Sequence, residues 1–159
     1  IKCNRPDRIC NSDPDETSWL SFEDECRWNS VGCNSASNVA SILFSLREVG
    51  PYRSPYELSG SLPHELVLLA DLENLSCQRN RIEGTIPEWS GMKSLRTLLI
   101  EENELTGSLS ETFLSENTLL GTIHLFDNSL AGALPNVITA PQIKNVKLHK
   151  NSFNGTIPT

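Results

Sequence analysis

Four times along the chain the same order of apolar and polar positions returns around an asparagine. Anchored on Asn80, Asn103, Asn128 and Asn151, the steps are 23, 25 and 23 residues. Upstream of each asparagine an apolar frame repeats as Leu72, Leu75, Cys77, then Leu95, Leu98, Ile100, then Leu120, Ile123, Leu125, then Ile143, Val146, Leu148. Downstream comes an apolar residue, a glycine and a second apolar residue, closed in three of four units by proline. These read Ile82, Gly84, Ile86, Pro87; Leu105, Gly107, Leu109; Leu130, Gly132, Leu134, Pro135; and Phe153, Gly155, Ile157, Pro158. Apolar residues at alternating positions, as in Leu75 and Cys77, predict a short strand with one buried face. Strands of successive units then pair side by side in parallel, because no unit can bury its apolar face without neighbours.

The special positions fit that reading. Each asparagine stands where the chain leaves its strand, and its amide can donate to and accept from backbone groups of adjacent coils. The glycine allows a tight bend or a close approach between coils. Proline closes the coil without needing a backbone donor. The residues after the glycines are small (Ser61, Thr85, Ser108, Ala133, Thr156), as a second packed edge requires; the ladder is too mixed to favour an ice-binding surface. Cys77 occupies a core position equivalent to Ile100, Leu125 and Leu148, which predicts a buried, reduced thiol.

The unit resembles the leucine-rich repeat in its plant-type form, L-x-x-L-x-L-x-x-N-x-L-x-G-x-I-P, over residues 64–159. Ahead of it, WLSFEDEC (19–26), RWNSVGC (27–33) and VASILF (39–44) resemble the N-terminal cap of such proteins, in which a tryptophan and a small disulfide seal the first coil. Val39, Ile42 and Phe44 would form the capping strand. Similar phrasing occurs in plant receptor ectodomains, polygalacturonase-inhibiting proteins and diatom repeat proteins. The resemblance implies an α/β solenoid: a right-handed superhelix with a parallel β-sheet on its concave face and a disulfide-bonded N-terminal cap. The cap is expected over residues 1–63 and four repeats over 64–159; only residues 1–16 fall outside the likeness. Two departures stand out. Phe44 to Gly60 is nine residues longer than Cys77 to Gly84, an insertion at about 47–57. Ser110 replaces the proline of the second unit, and ETFLSENT (111–118) lengthens that coil, where a helical turn is expected on the outer side.

Charge and cysteine content narrow the setting. The net charge is −7, which opposes binding to a phosphate backbone. Residues 1–26 hold seven acids against Lys2, Arg5 and Arg8. No apolar run approaches the roughly 18 residues of a membrane span, so no span is expected within this segment, and a start at Ile1 fits a mature or trimmed product. Cys26 and Cys33 are separated by six residues, as are Cys3 and Cys10. Zinc sites favour two to four intervening residues with histidine nearby, whereas His64, His124 and His149 are distant in sequence. Two short disulfide loops, Cys26–Cys33 and Cys3–Cys10, are the better reading, and they imply an oxidising compartment: the cell exterior or the secretory lumen. No metal or cofactor is implied.

Strand residues that do not point inward should line one face in columns. One reads Ser41, Asn74, Thr97, Thr122, Asn145, and the next Leu43, Ser76, Leu99, His124, Lys147. The third is Ser45, Gln78, Glu101, Phe126, His149, and the fourth Leu46, Arg79, Glu102, Asp127, Lys150. Leu43, Leu99 and Phe126 are apolar where the frame offers no core, among charged neighbours, as at a partner interface. Glu101, Glu102 and Asp127 are expected to make the middle of the face acidic, with Glu101 and Glu102 both outward and His124 and Asp127 a solvated pair. Lys144, Lys147, His149 and Lys150 make the last strand basic. Arg47, Tyr52, Arg53 and Tyr56 of the insertion supply a lip rich in residues that interfaces favour.

No nucleophile elbow, zinc helix or phosphate loop is present, and the fold licenses no chemistry by itself, so catalysis is not expected. Recognition of a protein or peptide, or of a glycan, is the expected function, in the ectodomain or a fragment of a secreted or membrane-anchored protein. A structural subunit docked in a larger extracellular or lumenal assembly is the alternative. Asn154 and Asn74 begin N-x-S/T sequons, acceptors for glycosylation. The C-terminal coil is expected to be covered by further repeats or by a partner chain, since Ile143, Val146, Leu148, Phe153 and Ile157 otherwise meet water.

Overall fold

A computed structural model describes residues 2–3, 25–27, 30–44, 58–135 and 141–157. In chain order the strands are β1 (Lys2–Cys3), β2 (Val31–Cys33), β3 (Val39–Leu43), β4 (Leu58–Ser61), β5 (Asn74–Ser76), β6 (Arg81–Thr85), β7 (Thr97–Leu99), β8 (Glu104–Ser108), β9 (Thr122–His124), β10 (Ser129–Gly132), β11 (Asn145–Lys147) and β12 (Ser152–Phe153). Helical structure among the described residues is limited to 3-10 turns at Glu25–Arg27 and His64–Leu68.

The apolar frame builds the first sheet, ordered β2-β3-β5-β7-β9-β11. β2 and β3 form an antiparallel pair at the cap, and every later pairing is parallel. Ser41, Asn74, Thr97, Thr122 and Asn145 lie in one row of register, and Leu43, Ser76, Leu99, His124 and Lys147 in another. These are the first two columns expected from the sequence. Backbone bonding runs on past the strands: Arg79 N–H donates to Glu101 O at 3.0 Å, Glu102 N–H to Phe126 O at 3.0 Å and Asp127 N–H to His149 O at 3.1 Å. Between the alternating outward residues, Leu75, Leu98 and Ile123 turn into the core with Cys77, Ile100 and Leu125. Trp89, Met92 and Phe113 join the same buried cluster, and Ile143, Leu148 and Phe153 of the last coil pack partly against it.

Each repeat asparagine repeats one hydrogen-bonding scheme. Oδ1 of Asn103 accepts the Ile82 N–H of the preceding coil at 3.0 Å, while Nδ2 donates back to Cys77 O at 3.0 Å and to Ile100 O in its own coil at 3.1 Å. Asn128 does the same with Leu105, Ile100 and Leu125, and Asn151 with Leu130, Leu125 and Leu148. Asn80 serves Leu58, Phe44 and Cys77 at the junction with the cap.

A second sheet, ordered β1-β4-β6-β8-β10-β12, is not foreseen by the periodicity. It is parallel apart from β1, and it is made by the stretches around the repeat glycines. There the backbone takes φ near +80° at Gly84, Gly107 and Gly132, open to glycine and strained for other residues. A Cβ on Gly107 would fall 2.7 Å from Thr85 Cγ2, and one on Gly132 2.9 Å from Ser108 Cβ. The small residues following the glycines are therefore the floor against which the next coil's backbone is laid, as the packed-edge reading requires.

The expected helical turn over 111–118 is replaced by successive single turns. Phe113 N–H donates to Ser110 O, Ser115 N–H to Thr112 O and Asn117 N–H to Leu114 O. Leu114 at φ 52° interrupts any right-handed helix. The buried Asn117 side chain then ties the segment to the preceding coil, donating to Met92 O at 2.6 Å and Leu95 O at 2.8 Å. Ser110, where the repeat pattern has proline, donates its hydroxyl to Glu88 Oε2, and Thr112 Oγ1 donates to the same oxygen at 2.9 Å.

Cys26 and Cys33 are disulfide-bonded, with Cα atoms 5.5 Å apart; the bond fits an oxidising compartment. Cys77 is free and buried, and burial pushes its thiol up to about 12. Cys10 lies outside the described residues, and with it the expected Cys3–Cys10 bridge.

Candidate interaction face

Outward side chains of the first sheet form one continuous surface. Leu43 is 49% exposed at the cap end. Leu99 and Phe126 are half-buried. The Phe126 ring stacks on His149, with centroids 4.7 Å apart and planes 7° from parallel, and lies 6.2 Å from the His124 ring at a 55° tilt. The four residues Leu99, His124, Phe126 and His149 thus bring aromatic and aliphatic area together at the centre of the face.

Three charge expectations are corrected. Glu101 does not share the exposure of Glu102: on the face but covered by its neighbours, it is only 8% exposed. The expected His124–Asp127 pair does not form. Asp127 Oδ2 instead accepts from Lys150 Nζ at 2.6 Å, and the carboxylate near His124 is Glu101, with Oε1 3.7 Å from Nδ1. The physical reason is register: strands stacked about 4.8 Å apart bring equivalent and diagonal positions of successive coils closer than residues three apart along one coil. Nor is the middle of the face an uncompensated acidic patch. Glu102 is paired with Arg79 at 3.2 Å as Asp127 is with Lys150, so the fourth column carries its own counter-charges. Asp127's hydrogen bond and charge raise the Lys150 amine above its ordinary pKa. Arg79, Glu102, Asp127 and Lys150 all adopt φ between 53° and 60°, the left-handed turn that hands the chain to each asparagine.

Lys147 and His149 are exposed on the last strand. Arg47, Tyr52, Arg53 and Tyr56 lie outside the described residues, as does the inserted loop that holds them. Asn154 is exposed, whereas Asn74 is half-buried on β5 and its sequon partner Ser76 is buried. Among the described residues no group of three or more His, Cys, Asp or Glu side chains could hold a metal ion, and no helix is long and apolar enough to cross a membrane. Sequence reasoning misses Glu88 and Asn117, whose partners become neighbours only once coils stack; neither occupies a repeated position that would signal it.

Stacked parallel strands, a left-handed turn and an asparagine in every coil define a leucine-rich-repeat solenoid. No protein-family model matches the chain. It is 32% identical over 141 residues, 87% of its length, to the receptor-like kinase TMK2 of Arabidopsis thaliana, and covers 15% of that protein. A structure of the BIR3–SERK2 complex from Arabidopsis thaliana matches with a TM-score of 0.73 at 26% identity, over 87% of this chain and 71% of that one. The Arabidopsis receptor kinase HAESA, solved with the peptide hormone IDA and the co-receptor SERK1, matches with a TM-score of 0.72 at 26% identity, over 86% of this chain and 22% of that one. Across three curated Arabidopsis thaliana receptor-like kinases, TMK2 among them, the chain spans between 9% and 21% of the relative's length. The chain is a leucine-rich-repeat protein of the plant type.

Proposed function

We propose that this chain is a non-catalytic recognition module of a receptor-type ectodomain, working outside the cell and binding a protein or peptide through the concave sheet. The observation that carries the reading is the unbroken register of the first sheet, which holds Leu43, Leu99 and Phe126 on one face although the repeat frame has no core use for them. Apolar groups kept at a surface, flanked by paired charges, form the apolar centre and polar rim of an interface. The neighbouring complexes support it: HAESA is seen with a peptide hormone and a co-receptor, and BIR3 with SERK2. Glu102, Asp127, Lys147 and His149 would make the rim, and Arg47, Tyr52, Arg53 and Tyr56 a lip at the cap end.

A displayed library of linear peptides and small folded domains, selected against the chain, tests the reading. Selected binders should be lost on Leu43→Arg and kept on Thr106→Asp, a change in the second sheet. Binders indifferent to Leu43→Arg and abolished by Thr106→Asp would place recognition on the other side.

A further inference from the structure

Glu101 is an ionisable side chain in an unfavourable place. Leaving β7 in the third column, it follows Leu99 and stands between Gln78 and Phe126, the equivalent positions of the adjacent coils. Its Oε1 is 3.7 Å from His124 Nδ1, too far for a hydrogen bond. Its Oε2 and the Nε2 of His124 are both buried and have no hydrogen-bond partner among the described residues. The two side chains are only 10% and 13% exposed. The nearest fourth-column cations do not answer this charge, because Arg79 is engaged with Glu102 and Lys150 with Asp127. Lys147 stands beside His124 in the sheet, on the side away from β7. A buried carboxylate with an orphaned oxygen weakens the fold, so its placement points to a use outside stability.

The chemistry of that use follows from the atoms. Glu101 Oε2 is an acceptor, and the Nε2 of His124 is a second polar atom with no hydrogen-bond partner among the described residues. An unserved carboxylate oxygen and an unserved imidazole nitrogen thus share a face with the Phe126 ring. A planar cation with several donors matches this set: guanidinium presents five N–H groups, binds a carboxylate with two of them, and favours an aromatic face.

Resting on the concave-face reading above, we propose that Glu101 and His124 form a subsite for the arginine side chain of an extended peptide lying across the sheet. Because Glu101 Oε2 is buried, guanidinium entry requires a side chain of the face to turn aside, and the half-buried Phe126 ring beside His124 is the candidate. Glu101 gives up an unpaired charge on binding, and the peptide gains a charge-assisted contact that a neutral residue cannot make.

The test uses a displayed library of random linear peptides, selected on the whole chain. Arginine should be enriched, and a selected peptide should lose roughly tenfold or more in affinity on Glu101→Gln and on replacement of its arginine by citrulline, the neutral isostere. Glu104→Gln, in the second sheet, should leave affinity unchanged. Glu101→Gln should melt no lower than the wild type, which separates lost binding from lost fold. Peptides lost on Leu43→Arg but lacking arginine and indifferent to Glu101→Gln would overturn the subsite and leave concave recognition standing. Peptides indifferent to Leu43→Arg and to Glu101→Gln would remove both. Enrichment of lysine in place of arginine would overturn the guanidinium assignment, and failure to select any linear peptide would count against an extended-peptide site.

Discussion

Gly107 lies directly over Thr85, so close that a single methyl at position 107 would sit 2.7 Å from the threonine Cγ2. Its φ of 80° adds a second obstacle. Gly107→Ala is therefore expected to destabilise the protein by about 2–4 kcal/mol, overpacking added to backbone strain. Gly155→Ala is the control: its φ is 84° but its added Cβ would meet only Ala133 Cβ at 3.9 Å, so strain alone should cost about 1 kcal/mol. Urea unfolding of the two variants checks the difference. Equal losses would mean that the Thr85 contact does not matter.

Asn103→Ala and Asn128→Ala should each cost about 1–3 kcal/mol, because each takes the acceptor from one N–H of the preceding coil and one of the two amide donors from each of two carbonyls. Thermal unfolding reads the effect directly. Wild-type melting in either variant would show that those backbone groups find other partners.

Cys77 gives a pH dependence. Its thiol ionises at the ordinary value of 9.0 in the unfolded chain and at about 12 in the folded one. The folded state holds the proton longer, so the contribution is full below pH 9 and declines as pH rises from 9 toward 12. Near pH 10 the loss should be about 1–2 kcal/mol. Cys77→Val should flatten that alkaline decline, as measured by urea midpoints of the two proteins. Parallel curves would mean that the thiol is not shielded as described.

Glu88 receives the Ser110 and Thr112 hydroxyls at Oε2 and the Ser90 amide at Oε1. Glu88→Ala should lower stability by about 1–2 kcal/mol, with hydrogen exchange rising first in the segment 110–117. Unchanged protection there would show that the following coil does not depend on this carboxylate.

Phe126→Ala should weaken a concave-face binder by more than about 1 kcal/mol with little change in melting, since the ring is only half-buried. Titration calorimetry with a selected binder, set beside a thermal melt, distinguishes the two effects. Unaltered affinity would move the centre of the interface elsewhere.

How far such features can be foreseen depends on whether they repeat. Leu75, Leu98 and Ile123 recur at fixed distance from an asparagine, so their strands, their register and the columns beside them are legible from spacing alone. The second sheet is harder, because RIEGT, ELTGS and SLAG carry a glycine at or next to the strand end and lack the simple alternation that marks a half-buried strand. The charged residues of the face mislead for another reason. Adjacency in sequence suggests that Glu101 behaves like Glu102 and that His124 meets Asp127, but the backbone turns left-handed between positions 101 and 103. One glutamate stays on the face, covered beside His124, while the other swings out to Arg79.

The asparagine bonds all point the same way along the chain. Oδ1 of Asn103, Asn128 and Asn151 serves amides that were made 21, 23 and 21 residues earlier. During synthesis, which delivers the N-terminal end first, Ile82, Leu105 and Leu130 each wait for the next coil to emerge before their N–H groups are answered. Assembly therefore lags translation by one turn, each arriving coil completing the one before it. Unravelling runs in reverse: peeling away a coil exposes one amide in its predecessor, so damage at the late end passes backward like a dropped stitch.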